Sequence, residues 1–305
     1  MKKSTIIILI FFVAMALFAL LVSKKQLPVK NRKPIVALTT FPLYDIAKHI
    51  GGKSIEIINI LPFGVEPHDY EPTPKIMADI EKASLVVYSG AGLEPWTHGF
   101  SFKGKVIDMS RFVKLRELKK DEFHEHHSNK VIDPHYWLNF SNMAKATELI
   151  TNELIKIVPK NKSLYIKNKD LYLKMLKKLD DDFHNKLSQC DRDTIIVNHN
   201  AFGYLAEKYD FHVKSVSGLS PDAQANAKNI ISLIGEIKEH NVSTLFFESF
   251  VSDKAIKSLA KETKTQVGIL EPLGNITADE AKKHLTYEIL MKDNLLKLSK
   301  ALSCH

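Results

Sequence analysis

The sequence predicts an α/β protein of two wound lobes with parallel-type sheets, joined by one long helix. Three observations predict it. Short apolar or β-branched runs alternate with stretches of helical spacing in the first half of the chain, the order that builds βαβ units. The same alternation starts again after residue 190. Between the two, Asn161 to Gln189 carries apolar residues at Tyr172, Leu176, Leu179, Phe183 and Leu187, every third or fourth position, over a stretch too long for a simple crossover. A chain of 305 residues has room for two domains and a large core. The predicted organisation is an N-terminal α/β lobe at 33–158, a linker helix at 159–190 and a C-terminal α/β lobe at 191–305.

In order, Ile35 to Thr39 reads as a strand and Phe41 to Gly51 as a helix that stops at Gly51-Gly52. Ser54 to Leu61 is β-branched and strand-like. Lys75 to Ala83 has helical spacing, and Leu85 to Ser89 is a continuous apolar run suited to a strand buried on both faces. Val106 to Asp108 is a shorter strand and Ser141 to Val158 a helix. After the long helix come strands at Thr194 to Val197, Phe211 to Ser215, Thr244 to Glu248 and Gln266 to Leu270. Helices at Ala201 to Tyr209, Ala225 to His240, Asp253 to Thr263 and Thr286 to Leu302 alternate with them.

Met1-Lys2-Lys3, then the 17 apolar residues Ile6 to Val22, then Ser23-Lys24-Lys25 form a signal peptide or an uncleaved N-terminal anchor within residues 1–25. Either one places the folded part outside the cytoplasm, periplasmic or extracytoplasmic. The net charge is +8, and four of the lysines behind it lie in or beside that segment. With no dense Arg cluster, the balance does not argue for nucleic acid as a partner. An oxidising compartment would allow Cys190 and Cys304 to pair, and two free thiols are the alternative.

Four groups with metal-ligand chemistry stand after apolar runs or in turns. His68 lies in the loop LPFGVEPHDYEPTP, stiffened by Pro67, Pro72 and Pro74, with a surface histidine in a Pro-rich turn as the plain alternative. His135 follows Asp133-Pro134. His199 and Glu271 end strands of the second half. Open α/β sheets bind ligands outside such strand ends, so loops of the two lobes can close around one ion in the inter-lobe cleft. Three imidazoles and a carboxylate suit tetrahedral Zn2+, whereas calcium and magnesium prefer oxygen alone and manganese more carboxylates. Asp133, Asn198 and Glu248 are candidates to orient the imidazole rings. His124, His126 and His127 crowd a polar stretch, either a solvated loop or an accessory metal loop.

The residues also carry a family resemblance. Pro62 to Trp96 (PFGVEPHDYEPTPKIMADIEKASLVVYSGAGLEPW), DPHYWLN at Asp133, VNHNAFGYLAEKY at Val197, GLSPDAQAN at Gly218, FFES at Phe246 and LEPLG at Leu270 resemble, in order, the zinc/manganese solute-binding proteins of ABC importers, the ZnuA-like cluster A-I group. The resemblance implies two lobes joined by a rigid helix, a metal between them, and delivery of Zn2+ to an ABC permease in the inner or plasma membrane. It makes His68, His135 and His199 the first three ligands. Glu271 falls where many members place a fourth, with Glu66 or a water as the other source. A His at position 199 marks zinc-type members, and a Glu there marks manganese-type ones. The resemblance further implies a monomeric binding protein rather than an enzyme. A manganese-binding member, a surface adhesin and a zinc hydrolase with Glu271 as general base are the alternatives.

Overall fold

The computed structural model describes Met15 and residues 33–99, 102–118, 131–221, 227–249 and 251–305. Apart from Met15, the 17-residue apolar run lies outside the described residues, as does the three-histidine stretch at His124, His126 and His127. Pro34–His305 forms one unit. Its first half runs β1 (Ile35–Leu38), α1 (Phe41–Gly51), β2 (Glu56–Asn59), α2 (Pro74–Ile80), β3 (Leu85–Tyr88) and β4 (Lys105–Asp108). A short pair follows, β5 (Arg116–Glu117) and β6 (Ile132–Asp133), and then α3 (Phe140–Ile157). The long helix is α4 (Lys162–Leu187). The second half runs β7 (Thr194–Val197), α5 (Gly203–Tyr209), β8 (His212–Ser215), α6 (Ala227–Glu239), β9 (Thr244–Phe247), α7 (Lys254–Thr263), β10 (Gln266–Ile269), α8 (Ala278–Lys282) and α9 (Tyr287–Leu302).

Each half builds a four-stranded sheet, in the orders β2-β1-β3-β4 and β10-β9-β7-β8. All pairings in both sheets are parallel. The central strands explain the continuous apolar runs. In β1, Val36 and Leu38 face a core shared by both halves, while Ala37 faces a smaller cluster with Ile60, Ile80 and Val86. In β7, Ile195 and Val197 face the shared core and Ile196 faces the cluster under α6 and α7. Both faces are covered, so period-2 alternation disappears. α1 stops where Gly52 takes φ 50°, a left-handed conformation that glycine adopts without strain.

Tyr172, Leu176, Leu179, Phe183 and Leu187 of α4 are all buried, together with Tyr165. Each contributes roughly 1.5–3 kcal/mol on burial. The helix is bonded to both halves. Tyr172 Oη donates to Asp45 Oδ2 of α1 at 2.8 Å, while Lys208 Nζ (2.7 Å) and Tyr209 Oη (2.6 Å) of α5 donate to Asp180. α4 is therefore anchored at several points along its length and is no free linker. The sequence left the cysteines open; in the structure Cys190 and Cys304 form a disulfide.

At the ends of β1 and β3 lies a buried carboxylate. Glu94 accepts from Thr39 Oγ1 at 2.5 Å and from the Ser89 and Gly90 amides at 2.8 Å each. Burial pushes its pKa up to about 7, against the hydrogen bonds that hold it down. A raised folded pKa means the stabilising contribution is complete below the unfolded value, near 4.5, and is lost as the pH rises through 7. The folded state keeps the proton that the unfolded state releases. Relative to Glu94→Gln, the wild type should lose about 3 kcal/mol between about pH 4 and pH 8. Urea unfolding of both proteins at the two pH values measures this; an unchanged difference refutes it.

Candidate metal centre

His68 leaves the end of β2 on a loop held from two directions. Its own prolines restrict the backbone. From the second half, Asn275 Nδ2 donates to Pro62 O (2.7 Å) and Val65 O (2.8 Å), and Gly64 N donates to Ile276 O at 2.8 Å. Gly274 allows this approach: a Cβ there would stand 3.2 Å from both Pro67 Cγ and Trp137 Cζ2. Trp137 Nε1 closes the seam by donating to Pro272 O at 2.7 Å. The segment after β10 is thus stitched to the loop that carries His68.

His135 follows β6 at the start of a short 3-10 turn, and His199 follows β7. The structure brings these two and His68 together. His68 Nε2 lies 3.3 Å from His135 Nε2, and His199 Nε2 lies 3.3 Å from His135 Nε2. All three imidazoles offer a ligand nitrogen, and those atoms lie within 4.8 Å of one another. A zinc ion with Zn–N bonds of about 2.0–2.1 Å in a tetrahedron sets its ligand nitrogens roughly 3.3–3.4 Å apart. Beside the rings is a cavity of about 10 Å3, lined by Glu66, Pro67, Trp137 and Glu248 among others. That is about the room needed for one water-sized sphere.

Two carboxylates fix the rings from behind. Asp133 Oδ1 lies 2.8 Å from His135 Nδ1 and accepts from the His135 amide at 2.9 Å. Glu248 Oε1 lies 2.5 Å from His199 Nδ1. A proton held on each Nδ1 leaves the Nε2 lone pair for a metal. Burial, then the neighbouring imidazoles, hold His68 well below its ordinary pKa, and burial and His199 do the same to His135. Burial also pulls His199 down, but the Glu248 carboxylate, with Glu66 and Asp133 behind it, outweighs this and leaves His199 raised. Burial lifts Asp133 to about 7 against the His135 amide and Arg116.

The remaining sequence candidates stand as follows. Glu66 Oε1 is 3.9 Å from His68 Nε2 and accepts from the His68 amide at 3.2 Å. Glu271 lies outside the three-histidine group: its Oε1 accepts from the Ser249 amide at 3.2 Å and from the Ser249 hydroxyl. Burial raises it to about 7. Among the described residues, neither Glu248 Oε2 nor Glu271 Oε2 has a hydrogen-bond partner, although both are buried. Asn198 is buried, and its carbonyl accepts from Ser217 N and Oγ at 2.9 Å each.

A family model described as zinc-uptake complex component A, periplasmic, matches residues 36–301. This chain belongs to that family. Within the zinc-uptake component A family it is 32% identical over 277 residues to the high-affinity zinc uptake system protein ZnuA of Bacillus subtilis, across 87% of this chain and 86% of that one. It is 29% identical to the zinc-binding protein AdcA of Streptococcus pyogenes, across 97% of this chain but 61% of AdcA, so it spans about three-fifths of that relative. The crystal structure of the Zn(II)-bound ZnuA-like domain of Streptococcus pneumoniae AdcA superposes with a TM-score of 0.74 at 29% identity, covering 88% of this chain and 99% of that one. Sequence reasoning missed the Asn275 and Trp137 clamps of this family member. The signal for Asn275 was its place directly after the LEPLG run.

Proposed function

We propose that this chain is the extracytoplasmic solute-binding protein of an ABC importer, capturing Zn2+ and delivering it to the membrane permease. The observation that carries the reading is the placing of His135 Nε2 at 3.3 Å from the Nε2 atoms of both His68 and His199, the spacing a tetrahedral zinc ion imposes on neighbouring ligands. His68 and His135 are held neutral, so the metal does not displace a proton from either ring. The fourth position falls to a carboxylate or a water. Glu66 lines the cavity as it stands, whereas Glu271 is not among the lining residues and its Oε1 is engaged with Ser249. The cavity has room for about one ion or water, which fits capture and release of an ion.

In this reading the lobes are 33–158 and 191–305, and 159–190 joins them. Residues 1–25 serve as export signal or tether, and the protein acts as a monomer without nucleic acid. Among the described residues no helix is long and apolar enough to cross a membrane. Titration of the purified full chain with zinc should show one tight site, with manganese a weaker competitor. Glu66→Gln and Glu271→Gln should differ, the true fourth ligand losing affinity by about tenfold or more. No tight zinc binding, or binding unchanged in both His68→Ala and His199→Ala, overturns the reading.

A further inference from the structure

A buried cation, Arg116, stands behind the Asp133 carboxylate that holds the His135 ring. Arg116 sits on β5 directly opposite Asp133 of β6, in an antiparallel pair of two residues each. Its side chain is 8% exposed, and that of Asp133 is 0% exposed. Arg116 Nη1 meets Asp133 Oδ2 at 3.3 Å, on the far side of the carboxylate from His135. Arg116 Nε then meets Glu207 Oε2 at 3.2 Å.

Glu207 belongs to α5, the helix that begins four residues after His199. The same helix makes three more contacts with the Arg116–Asp133 pair. Tyr204 Oη accepts from the Arg116 amide at 2.8 Å and donates to Asp133 O at 2.9 Å. The guanidinium also lies against the first residue of the helix, for a Cβ on Gly203 would stand 2.4 Å from Arg116 Nη1. A continuous path therefore runs His135, Asp133, Arg116, Glu207, from the ligand of one lobe to the helix behind the ligand of the other.

We infer that Arg116 and Glu207 form a cross-lobe brace that positions His135 for the metal, making Arg116 a positioning residue for zinc capture. The inference rests on the proposed metal role of the three histidines. Its physical basis is geometric. The planar fork of a guanidinium can address two carboxylates at fixed angles, which an ammonium cannot do. Asp133 has two oxygens: Oδ1 is committed twice to His135, and Oδ2 is tied to Arg116. Loss of the fork lets the carboxylate turn, and the imidazole turns with it. Glu207 is 59% exposed on its side chain, so its arm adjusts the brace while Asp133 carries it.

The test uses the full chain and zinc alone, with affinity read by competition against a chromophoric chelator. Arg116→Lys keeps the charge and removes the fork. It should weaken zinc by about 10- to 100-fold, the range for groups that orient metal ligands. Glu207→Gln, at an exposed position that folding tolerates, should weaken it by a few-fold. The double variant should be no weaker than Arg116→Lys, because both changes act through one brace. The imidazole 15N spectrum supplies a readout that general destabilisation does not move: the His135 signals should shift in Arg116→Lys while those of His199 stay. A lower melting temperature with unchanged zinc affinity and unchanged His135 signals overturns the brace and leaves the metal site intact. Failure of the wild type to bind zinc overturns the metal reading and the brace with it.

Discussion

His135→Ala should abolish tight zinc capture while leaving a folded protein. Of the three imidazoles, His135 is the one within 3.3 Å of both others, so any ion bound by the group touches it. Structural zinc sites bind with about 10–16 kcal/mol shared over four ligands, which makes one ligand worth roughly 3 kcal/mol, or about 100-fold in affinity. Two further losses add to that. Asp133 would lose the ring that its Oδ1 holds, and the His68 and His199 nitrogens would lose the group that spaces them. A buried carboxylate that loses one of its hydrogen bonds costs free energy in the folded state, although the residue-135 amide and Arg116 still hold Asp133, so the apo protein should also melt a few degrees lower. Chelator competition measures the first effect and calorimetry the second. His135→Ala binding zinc within threefold of wild type would remove the three-histidine group from the account of metal capture.

Much of this architecture was legible in the sequence, for identifiable reasons. The strand–helix alternation survives because both sheets are parallel and covered on both faces, which turns β1, β3 and β7 into unbroken apolar runs. Helix α4 was visible because its buried side chains keep one stripe over 26 residues. His68 and His199 were visible because they follow strand ends, where chemistry gathers in such folds. Other features leave no periodic trace. β5 and β6 have two residues each, too few for any pattern, yet they place Arg116 opposite Asp133. The Trp137 bond to Pro272 and the Asn275 clamps cross more than a hundred residues of sequence. Glu271 shows the limit most plainly: its position at the end of β10 was readable, but its engagement with Ser249 depends on a neighbouring strand. One missed element did carry a local signal. Thr277 and Glu280 form a capping box that starts α8, a spacing that the sequence displays openly.

Loss of the Cys190–Cys304 disulfide should produce the largest change in stability. The bond spans 114 residues, a loop that includes the entire second sheet. In the chain-entropy description, closing a loop near that length removes about 5 kcal/mol of freedom from the unfolded state, and measured values are typically 2–4 kcal/mol. Total stabilities run to only about 5–15 kcal/mol. The native contacts around the bond oppose local fraying but do not replace it. Arg192 N donates to Leu302 O at 3.0 Å and His305 N to Gln189 O at 3.0 Å, so the two segments stay paired when the sulfurs part. The folded structure should therefore survive in Cys190→Ala/Cys304→Ala, with its urea midpoint lowered in proportion to the 2–4 kcal/mol. Zinc affinity should not follow. His199 stands beyond the far end of β7 from Cys190, and the His135 and His199 rings are oriented by Asp133 and Glu248 rather than by the chain terminus. Equal urea midpoints for the oxidised protein and the double variant would refute the loop-closure argument. A parallel collapse of zinc affinity would show that the bond holds the metal centre as well as the fold.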